Sequence, residues 1–246
     1  MASSRFPGKP LVPLLGIPMV EHVRRRASLP EAGVDEVIVA TCDASIRDAI
    51  AAAGGTAVMT ADTHERCTER IEEAARGIDA GIIVMVQGDE PLLLPQAVRQ
   101  VAAPLVADPN VVCTNLLSPL ESEEDRRNPD IVKAACALNG DVLYFSRAPI
   151  PLFRSRVDVP VYRQTGIMAF RADLLRAYAS LPETPLERAE SVDMFRLIEH
   201  GYPIRGVLVD YRTVGVDRPD DVAGVERLLQ EDPIQRALVE QTREMG

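Results

Sequence analysis

The sequence predicts an α/β fold in which parallel strands alternate with helices and an antiparallel hairpin is inserted later in the chain. Short apolar runs at 34–40, 56–59 and 82–86 are separated by helical segments, an order typical of βαβ units and a doubly wound parallel sheet. Asn139-Gly140 lies between two further apolar runs, and this dipeptide is the strongest short signal for a β-hairpin. Together these patterns indicate a Rossmann-like, mostly parallel sheet with an antiparallel insertion.

The first half of the chain supplies three strands and the helices between them. The run 82–86 stops at turn residues, as expected for a strand that is buried on both faces. A helix should begin at Asp43 or Ser45 and end at Gly54-Gly55, because such residues cap helix starts and ends. The predicted helices of this half lie at about 19–26, 46–53, 68–76 and 95–106.

After residue 110 the pattern changes to antiparallel strands, predicted at 132–137, 142–146 and 165–170. We therefore predict that 115–165 is an inserted hairpin subdomain within a single domain, 1–246. The later elements are predicted as helices at 174–180 and 187–200, a strand at 204–209, a helix at 220–229 and a charged helical tail.

Composition and charge exclude several classes of protein. The chain has 246 residues and a formal net charge of −10, which disfavours nucleic-acid binding because that function needs a basic face. No apolar run reaches the ~18 residues that cross a membrane. Four cysteines without a C-x-x-C pair indicate free thiols in a reducing cytosol, so we expect a cytoplasmic protein.

Two carboxylates come directly after the strand at 82–86, in the turn Gln87-Gly88-Asp89-Glu90-Pro91. In open α/β sheets, ligands bind at the carboxyl ends of the strands. Adjacent carboxylates at such a place suit a hard cation such as Mg²⁺, and the cation suits a phosphate. The alternative is that Asp89 caps the following helix.

Two further sites have the same ambiguity. Asp217 follows a predicted strand and lies beside glycine, but it is also a candidate N-cap ahead of Pro219. At the start of the chain, Arg5 and Lys9 flank Pro7-Gly8, where glycine lets a phosphate approach backbone amides and the cations neutralise it. The alternative there is a poorly ordered terminus.

Nine short motifs occur in a fixed order along nearly the whole chain. They are Ser3-Ser4-Arg5-Phe6-Pro7-Gly8-Lys9-Pro10-Leu11, Ile38-Val39-Ala40-Thr41, Ala52-Ala53-Gly54-Gly55, Thr68-Glu69-Arg70, Val86-Gln87-Gly88-Asp89-Glu90-Pro91, Tyr144-Phe145-Ser146-Arg147-Ala148, Gly166-Ile167, Pro185-Leu186-Glu187 and Gly215-Val216-Asp217. In these motifs and their order, the chain resembles the 3-deoxy-manno-octulosonate cytidylyltransferase family, the CMP-Kdo synthetases.

The resemblance implies that CTP activates a 3-deoxy-2-ulosonic acid to give a CMP-sugar and pyrophosphate, for lipopolysaccharide or capsule synthesis. It implies Mg²⁺ on Asp89 and Asp217, and catalytic contacts of Arg5 and Lys9 with the β- and γ-phosphates. The other residues it implies are Ser4, Gly8, Thr68 and Arg70 at CTP, and Gln87, Arg147, Gln164, Glu187 and Glu190 at the sugar acid. For Glu187 and Glu190, the alternative is a solvated helix face. A homodimer formed through 115–165 is also implied.

Three features depart from the family pattern. The family begins with a buried strand before the residue aligned with Met1, so the first strand is missing here. We expect Met1 to be an internal methionine of a product that starts roughly ten residues earlier; alternatively, the strands at 34–40 and 82–86 pair directly. The usual His-Leu-Gly-Ile is replaced by Gln164-Thr165-Gly166-Ile167, and a Leu-Glu-Gln pattern by Ser191-Val192-Asp193-Met194. These two replacements leave the particular sugar acid open.

Three alternatives to this function remain compatible with the sequence. The first is a cytidylyltransferase for another acid, such as a sialic-acid-like or amino-Kdo sugar. The second is a non-catalytic nucleotide-binding domain, although the charges of Arg5, Lys9 and Arg147 argue against it. The third is a glycosyltransferase with an acidic metal motif, which fits Pro7-Gly8-Lys9 less well than nucleotidyl transfer does.

Overall fold

The structure is a computed structural model, and it describes residues 6–120, 122–155, 159–243 and 245. The chain divides into two compact units. The first unit contains Met1–Arg76, Val86–Arg99 and Thr213–Gly246, and the second contains Gly77–Met85 and Gln100–Arg212. The prediction of one domain, 1–246, with 115–165 as an inserted subdomain is not tested by this division and stays a prediction.

In the described part of the chain, the α-helices are α1 (Met19–Ala27), α2 (Ala44–Ala52), α3 (Cys67–Ala75), α4 (Pro95–Ala107), α5 (Glu123–Arg127), α6 (Ala172–Tyr178), α7 (Pro185–Glu190), α8 (Met194–Glu199), α9 (Asp221–Glu231) and α10 (Pro233–Arg243). The start of α2 is capped as expected, because Asp43 accepts a hydrogen bond from the Ser45 backbone N at 2.8 Å. None of these described helices is both long enough and apolar enough to cross a membrane.

The strands of the described chain are β1 (Pro13–Leu14), β2 (Ile17–Pro18), β3 (Ile38–Thr41), β4 (Thr56–Met59), β5 (Ile82–Val86), β6 (Cys113–Pro119), β7 (Lys133–Cys136), β8 (Val142–Ser146), β9 (Tyr162–Arg171) and β10 (Arg205–Leu208). Parallel pairs (β3 with β4, β10 with β6) and antiparallel pairs (β6 with β9, β7 with β8) are both present. The predicted α/β class is therefore confirmed.

The first unit contains two small sheets and an apolar core. β1 and β2 form a hairpin whose turn, Leu15-Gly16, has φ values of 50° and 83°, as a type I′ turn requires. β3 and β4 pair in parallel, with Ile38 opposite Thr56. The core packs the hairpin and α1 against α9 and α10 through Leu14, Met19, Val216, Val225, Leu229 and Val239.

The second unit contains most of a larger sheet with the order β10-β6-β9-β7-β8, in which β5 also pairs with β9. The register of β6 against β9 shifts between Asn115 and Leu117. In the described residues β3 and β5 belong to different sheets, so the alternative of direct pairing between those two strands is wrong.

One predicted helix is broken in the structure. The segment 187–200 forms α7 and α8 instead of a single helix, because Ser191 takes a left-handed conformation with φ 53° and ends α7. This break separates Glu190 from the regular helix that follows, and it exposes backbone carbonyls at the end of α7 to side-chain donors.

Candidate active site

The turn that carries Lys9 is formed by Gly8 and a 3₁₀ turn, Lys9–Leu11. Gly8 has φ 71°, a left-handed conformation that glycine adopts without strain. Apart from its chain neighbours, no described atom lies within 4 Å of the place where a Cβ would stand on Gly8, so a ligand has room to approach this backbone. Ser4 and Arg5 lie outside the described residues, and their predicted contacts with CTP stay predictions.

Lys9 joins three segments of the first unit. Its side chain is buried, and its Nζ donates to Asp89 Oδ2 at 2.6 Å and to the Val216 carbonyl at 2.8 Å. The Val216 backbone N donates in turn to the Asp89 carbonyl at 3.0 Å. The structure therefore brings together Lys9, the turn after β5 and the turn that ends in Asp217, three of the places predicted to handle phosphate.

Neither aspartate caps a helix. Asp89 lies well before α4, which begins at Pro95. The N-cap of α9 is Asp220, and the Asp221 carboxylate accepts from the backbone N of Asp217 at 2.8 Å. The capping alternatives for Asp89 and Asp217 are therefore wrong.

The donor set of these turns suits Mg²⁺. Among the described residues, no three His, Cys, Asp or Glu side chains form a metal cluster, but Mg²⁺ needs only one or two carboxylates when phosphates and water complete its shell. Asp89 already accepts a cationic group, the Lys9 ammonium, at one oxygen. Close packing also keeps the turns together, since a Cβ on Gly215 would stand 3.3 Å from the Asp89 carbonyl.

The other nucleotide candidates lie on α3, within the first unit. Thr68 is fully buried. The Arg70 guanidinium turns back on its own unit, with Nη1 donating to Thr60 Oγ1 and to the Ala61 carbonyl. Gln87 opens the turn after β5, where its carbonyl accepts from the Glu90 backbone N at 3.3 Å. None of these contacts tests a role in ligand binding, so the three assignments stay predictions.

In the second unit, Glu190 and Arg147 are joined by two hydrogen bonds. The Glu190 carboxylate accepts from the Arg147 backbone N at 2.8 Å, from Ser146 Oγ at 3.3 Å and from Tyr144 Oη at 3.5 Å. Burial, together with the negative charge of Glu190, raises the pKa of Tyr144. Glu190 is thus bound to the end of β8, and the alternative of a simple solvated helix face is wrong for it.

The guanidinium of Arg147 donates to three backbone carbonyls. Nε bonds to Glu190 O at 2.7 Å, Nη1 to Pro129 O at 3.0 Å and Nη2 to Ser191 O at 3.4 Å. Each Nη atom carries a second hydrogen, so the predicted pairing with a sugar carboxylate stays a prediction. The structure adds that Arg147 is oriented in advance by the left-handed end of α7.

Lys133 is a residue that the sequence analysis missed. It lies fully buried in β7, and its Nζ donates to the carbonyls of Asn128 at 2.6 Å, Ile131 at 2.8 Å and Arg147 at 2.8 Å. Burial and the nearby positive charge of Arg147 lower the pKa of Lys133. The sequence signal was a lysine inside an otherwise apolar strand, where only a paired ammonium is tolerated.

Glu187 is fully buried and forms a two-point ion pair with Arg196. The two bonds, from Nε and Nη2, measure 2.8 and 2.7 Å, and the same carboxylate accepts from the Thr184 backbone N. The solvated-face alternative is therefore wrong for Glu187. A ligand contact would require breaking this pair, so the assignment of Glu187 to the sugar acid stays a prediction that the geometry does not favour.

Gln164, on β9, bonds to a second residue that the sequence analysis missed. Its Nε2 donates to Asn115 Oδ1 at 2.8 Å. Asn115 is fully buried on β6. No sequence signal identified it, because β6 itself was not predicted.

Comparisons with known proteins agree with the family that the sequence motifs indicate. A family model described as Cytidylyltransferase matches residues 1–205. The chain is 43% identical over 233 residues to the 3-deoxy-manno-octulosonate cytidylyltransferase of Geobacter metallireducens, covering 90% of this chain and 91% of that protein. It is 46% identical over 232 residues to the protein of the same name from Myxococcus xanthus, with 93% of each covered.

A solved structure also resembles this chain. It is CMP:2-keto-3-deoxy-manno-octonic acid synthetase complexed with CTP, with a TM-score of 0.87 and 38% sequence identity, and the match covers 93% of this chain and 94% of that one.

Proposed function

Because this chain belongs to the cytidylyltransferase family, we propose that it transfers CMP from CTP to 3-deoxy-manno-octulosonate. The protein is an enzyme of the nucleotidyltransferase class. The 2-hydroxyl oxygen of the sugar acid attacks the α-phosphorus, the bond from that phosphorus to the bridging oxygen of pyrophosphate breaks, and the hydroxyl proton passes to solvent. The observation that carries the proposal is the bonding of Lys9, Asp89 and the Val216 carbonyl in one group.

Mg²⁺ is the proposed cofactor, held by Asp89 and Asp217. When bound, the ion offsets phosphate charge and so lets an anionic acceptor approach the triphosphate. Lys9 would bind the β- and γ-phosphates together with Arg5 and stabilise the leaving pyrophosphate by charge. The bond from Lys9 to Asp89 supports this assignment, because it keeps the ammonium beside the proposed metal ligand.

The acceptor side is proposed to lie in the second unit, at Arg147, Glu190 and Gln164. Arg147 suits a carboxylate because its planar fork offers parallel donors. Its three bonds to backbone carbonyls fix the plane of the fork before a ligand arrives, which lowers the entropy cost of binding.

A cytoplasmic homodimer that serves lipopolysaccharide synthesis completes the proposal. Leu138 and Leu143, at and beside the β7–β8 turn, are exposed apolar residues that a second copy of this chain would cover. None of the four cysteines forms a disulfide, which suits a reducing compartment. The family name supports the pathway, since the sugar acid is its stated substrate.

The test is pyrophosphate release with CTP, Mg²⁺ and a panel of sugar acids. We expect turnover with 3-deoxy-manno-octulosonate and little with sialic acid. A preference for another acid would keep the enzyme class and change the substrate. Binding of CTP without release of pyrophosphate for any acid would support a non-catalytic nucleotide-binding domain and overturn the proposal. Light scattering at micromolar concentration tests the dimer, which a monomeric mass would contradict.

A further inference from the structure

The amide of Asn115 is oriented by the backbone around it. Its Nδ2 lies 3.2 Å from Leu116 O, 3.2 Å from Thr165 O and 3.1 Å from Ile167 O. A carbonyl oxygen can only accept hydrogen bonds, so the amide nitrogen must face these three atoms. Rotating the amide by 180° would place Oδ1 against three oxygens in a fully buried position, where unpaired polar atoms are costly.

The orientation of Asn115 determines that of Gln164. Asn115 Oδ1 faces Gln164 and accepts from its Nε2 at 2.8 Å. If Gln164 rotated its amide, two carbonyl oxygens would meet at this distance without a proton between them. The Oε1 atom of Gln164 is therefore held on the branch that points away from Asn115. Gln164 is only half-buried, so its amide is partly accessible.

We propose that Asn115 is a positioning residue that fixes Gln164 as a hydrogen-bond acceptor for a hydroxyl of the sugar acid. This inference rests on the proposed function, in which Gln164 contacts that substrate. A site with a fixed acceptor discriminates against an analogue that lacks the donor, because the acceptor then loses its partner. Asn115 sets this preference without touching the ligand.

The test uses 3-deoxy-manno-octulosonate and a set of analogues in which each hydroxyl except the reacting one is replaced, in turn, by fluorine. Fluorine does not donate a hydrogen bond. The readout is KM for the sugar acid at saturating CTP, measured by pyrophosphate release. For the parent protein, we expect one analogue to show a KM raised about tenfold, the scale of one hydrogen bond.

Two variants separate the acceptor from the residue that orients it. Gln164→Met removes the amide. The fluorinated analogue whose KM is raised in the parent protein should then differ from the natural sugar by less than about twofold in KM. Asn115→Ala leaves the Gln164 amide free to rotate and present either end, so it should also reduce the tenfold discrimination, with kcat for the natural sugar changed less than about threefold.

Thr165→Val is the matched control. It removes a buried hydroxyl of the same cluster, which donates to Leu116 O at 2.8 Å and accepts from Ile167 N at 3.3 Å, and it leaves the bond between Gln164 and Asn115 in place. It should lower Tm and keep the tenfold discrimination. Discrimination that persists in Asn115→Ala, or in Gln164→Met if the first variant does not fold, overturns the proposal. Turnover by the parent without discrimination at any hydroxyl overturns this inference alone, whereas no turnover of any sugar acid overturns the proposed function with it.

Discussion

Replacing Lys9 with methionine removes the charge of a buried ammonium while keeping most of the packing of its stem. The variant leaves two acceptors without their donor, Asp89 Oδ2 at 2.6 Å and the Val216 carbonyl at 2.8 Å. Hydrogen bonds that involve a charged group contribute about 1.5–3 kcal/mol. The side chain of Asp89 is 26% exposed, so water replaces part of its interaction. We expect the free energy of unfolding to fall by about 1–3 kcal/mol, or about 2–12 °C in Tm for a chain of this length.

The effect on catalysis should be larger than the effect on stability. If Lys9 stabilises charge on the leaving pyrophosphate, Lys9→Met should lower kcat by about 10²–10³-fold. Calorimetry measures Tm, and pyrophosphate release measures kcat. Lys133→Met is the control, because it removes another buried ammonium whose partners are all backbone carbonyls of the second unit. It should lower Tm and leave KM for CTP unchanged.

Two results would refute this reasoning in different ways. An unchanged Tm for Lys9→Met would show that the bonds to Asp89 and Val216 do not contribute to stability. A lowered Tm with the parent kcat would make Lys9 a structural residue, and the phosphate-binding role would then have to come from other groups.

Three further predictions concern the metal, the acceptor and pH. Asp89→Asn and Asp217→Asn should each lower kcat by at least about 10²-fold, because each removes a charge from the proposed metal site; a rate near that of the parent would exclude the residue from metal binding. Arg147→Lys keeps the charge but loses the planar fork, so KM should rise for the sugar acid and not for CTP; the reverse pattern would assign Arg147 to the nucleotide. Burial lowers the pKa of His22, so the unfolded chain binds more protons below pH 6.5, and stability should fall as pH drops below that value, by up to about 1.4 kcal/mol per pH unit. Urea unfolding at several pH values gives the unfolding free energy as a function of pH. This dependence should be weaker in His22→Gln than in Met19→Leu, and an equal dependence in both variants would exclude His22 as its source.

Local pattern predicted the strands that are apolar and continuous. The runs 82–86 and 142–146 form strands with the predicted bounds. The β1–β2 hairpin was missed because its turn uses Leu15 at positive φ, where the usual signal is Asn, Asp or Gly. β6 was missed because Thr114, Asn115 and Ser118 interrupt its apolar run, although all three are buried and bonded to backbone carbonyls.

Some residues of the candidate site could also be predicted from the sequence, and others could not. Position after a strand pointed to Asp89, and cations flanking a glycine pointed to Lys9. For each residue the sequence also left a structural alternative open, helix capping for Asp89 and a poorly ordered terminus for Lys9. Asn115 gave no sequence signal, and Lys133 gave only that of a lysine within an apolar strand. The bonds of both residues reach backbone carbonyls of separate segments, which only the folded chain brings near them. Tertiary contacts, and not the spacing of residues along the sequence, therefore identify the roles of Asn115 and Lys133.

Lysine occupies two positions at which an ammonium fits its surroundings better than a guanidinium would. Only two of the 27 Lys and Arg residues are lysines, Lys9 and Lys133, and both are buried. An ammonium is a compact charge with three donors, so it can bind acceptors that converge from several segments, whereas a guanidinium is a larger planar fork. Lys9 binds acceptors from two turns, and Lys133 binds three carbonyls. Each lysine therefore fixes the loops of its own unit that carry proposed ligand-binding residues, and arginine at either position would keep the charge and lose the fit.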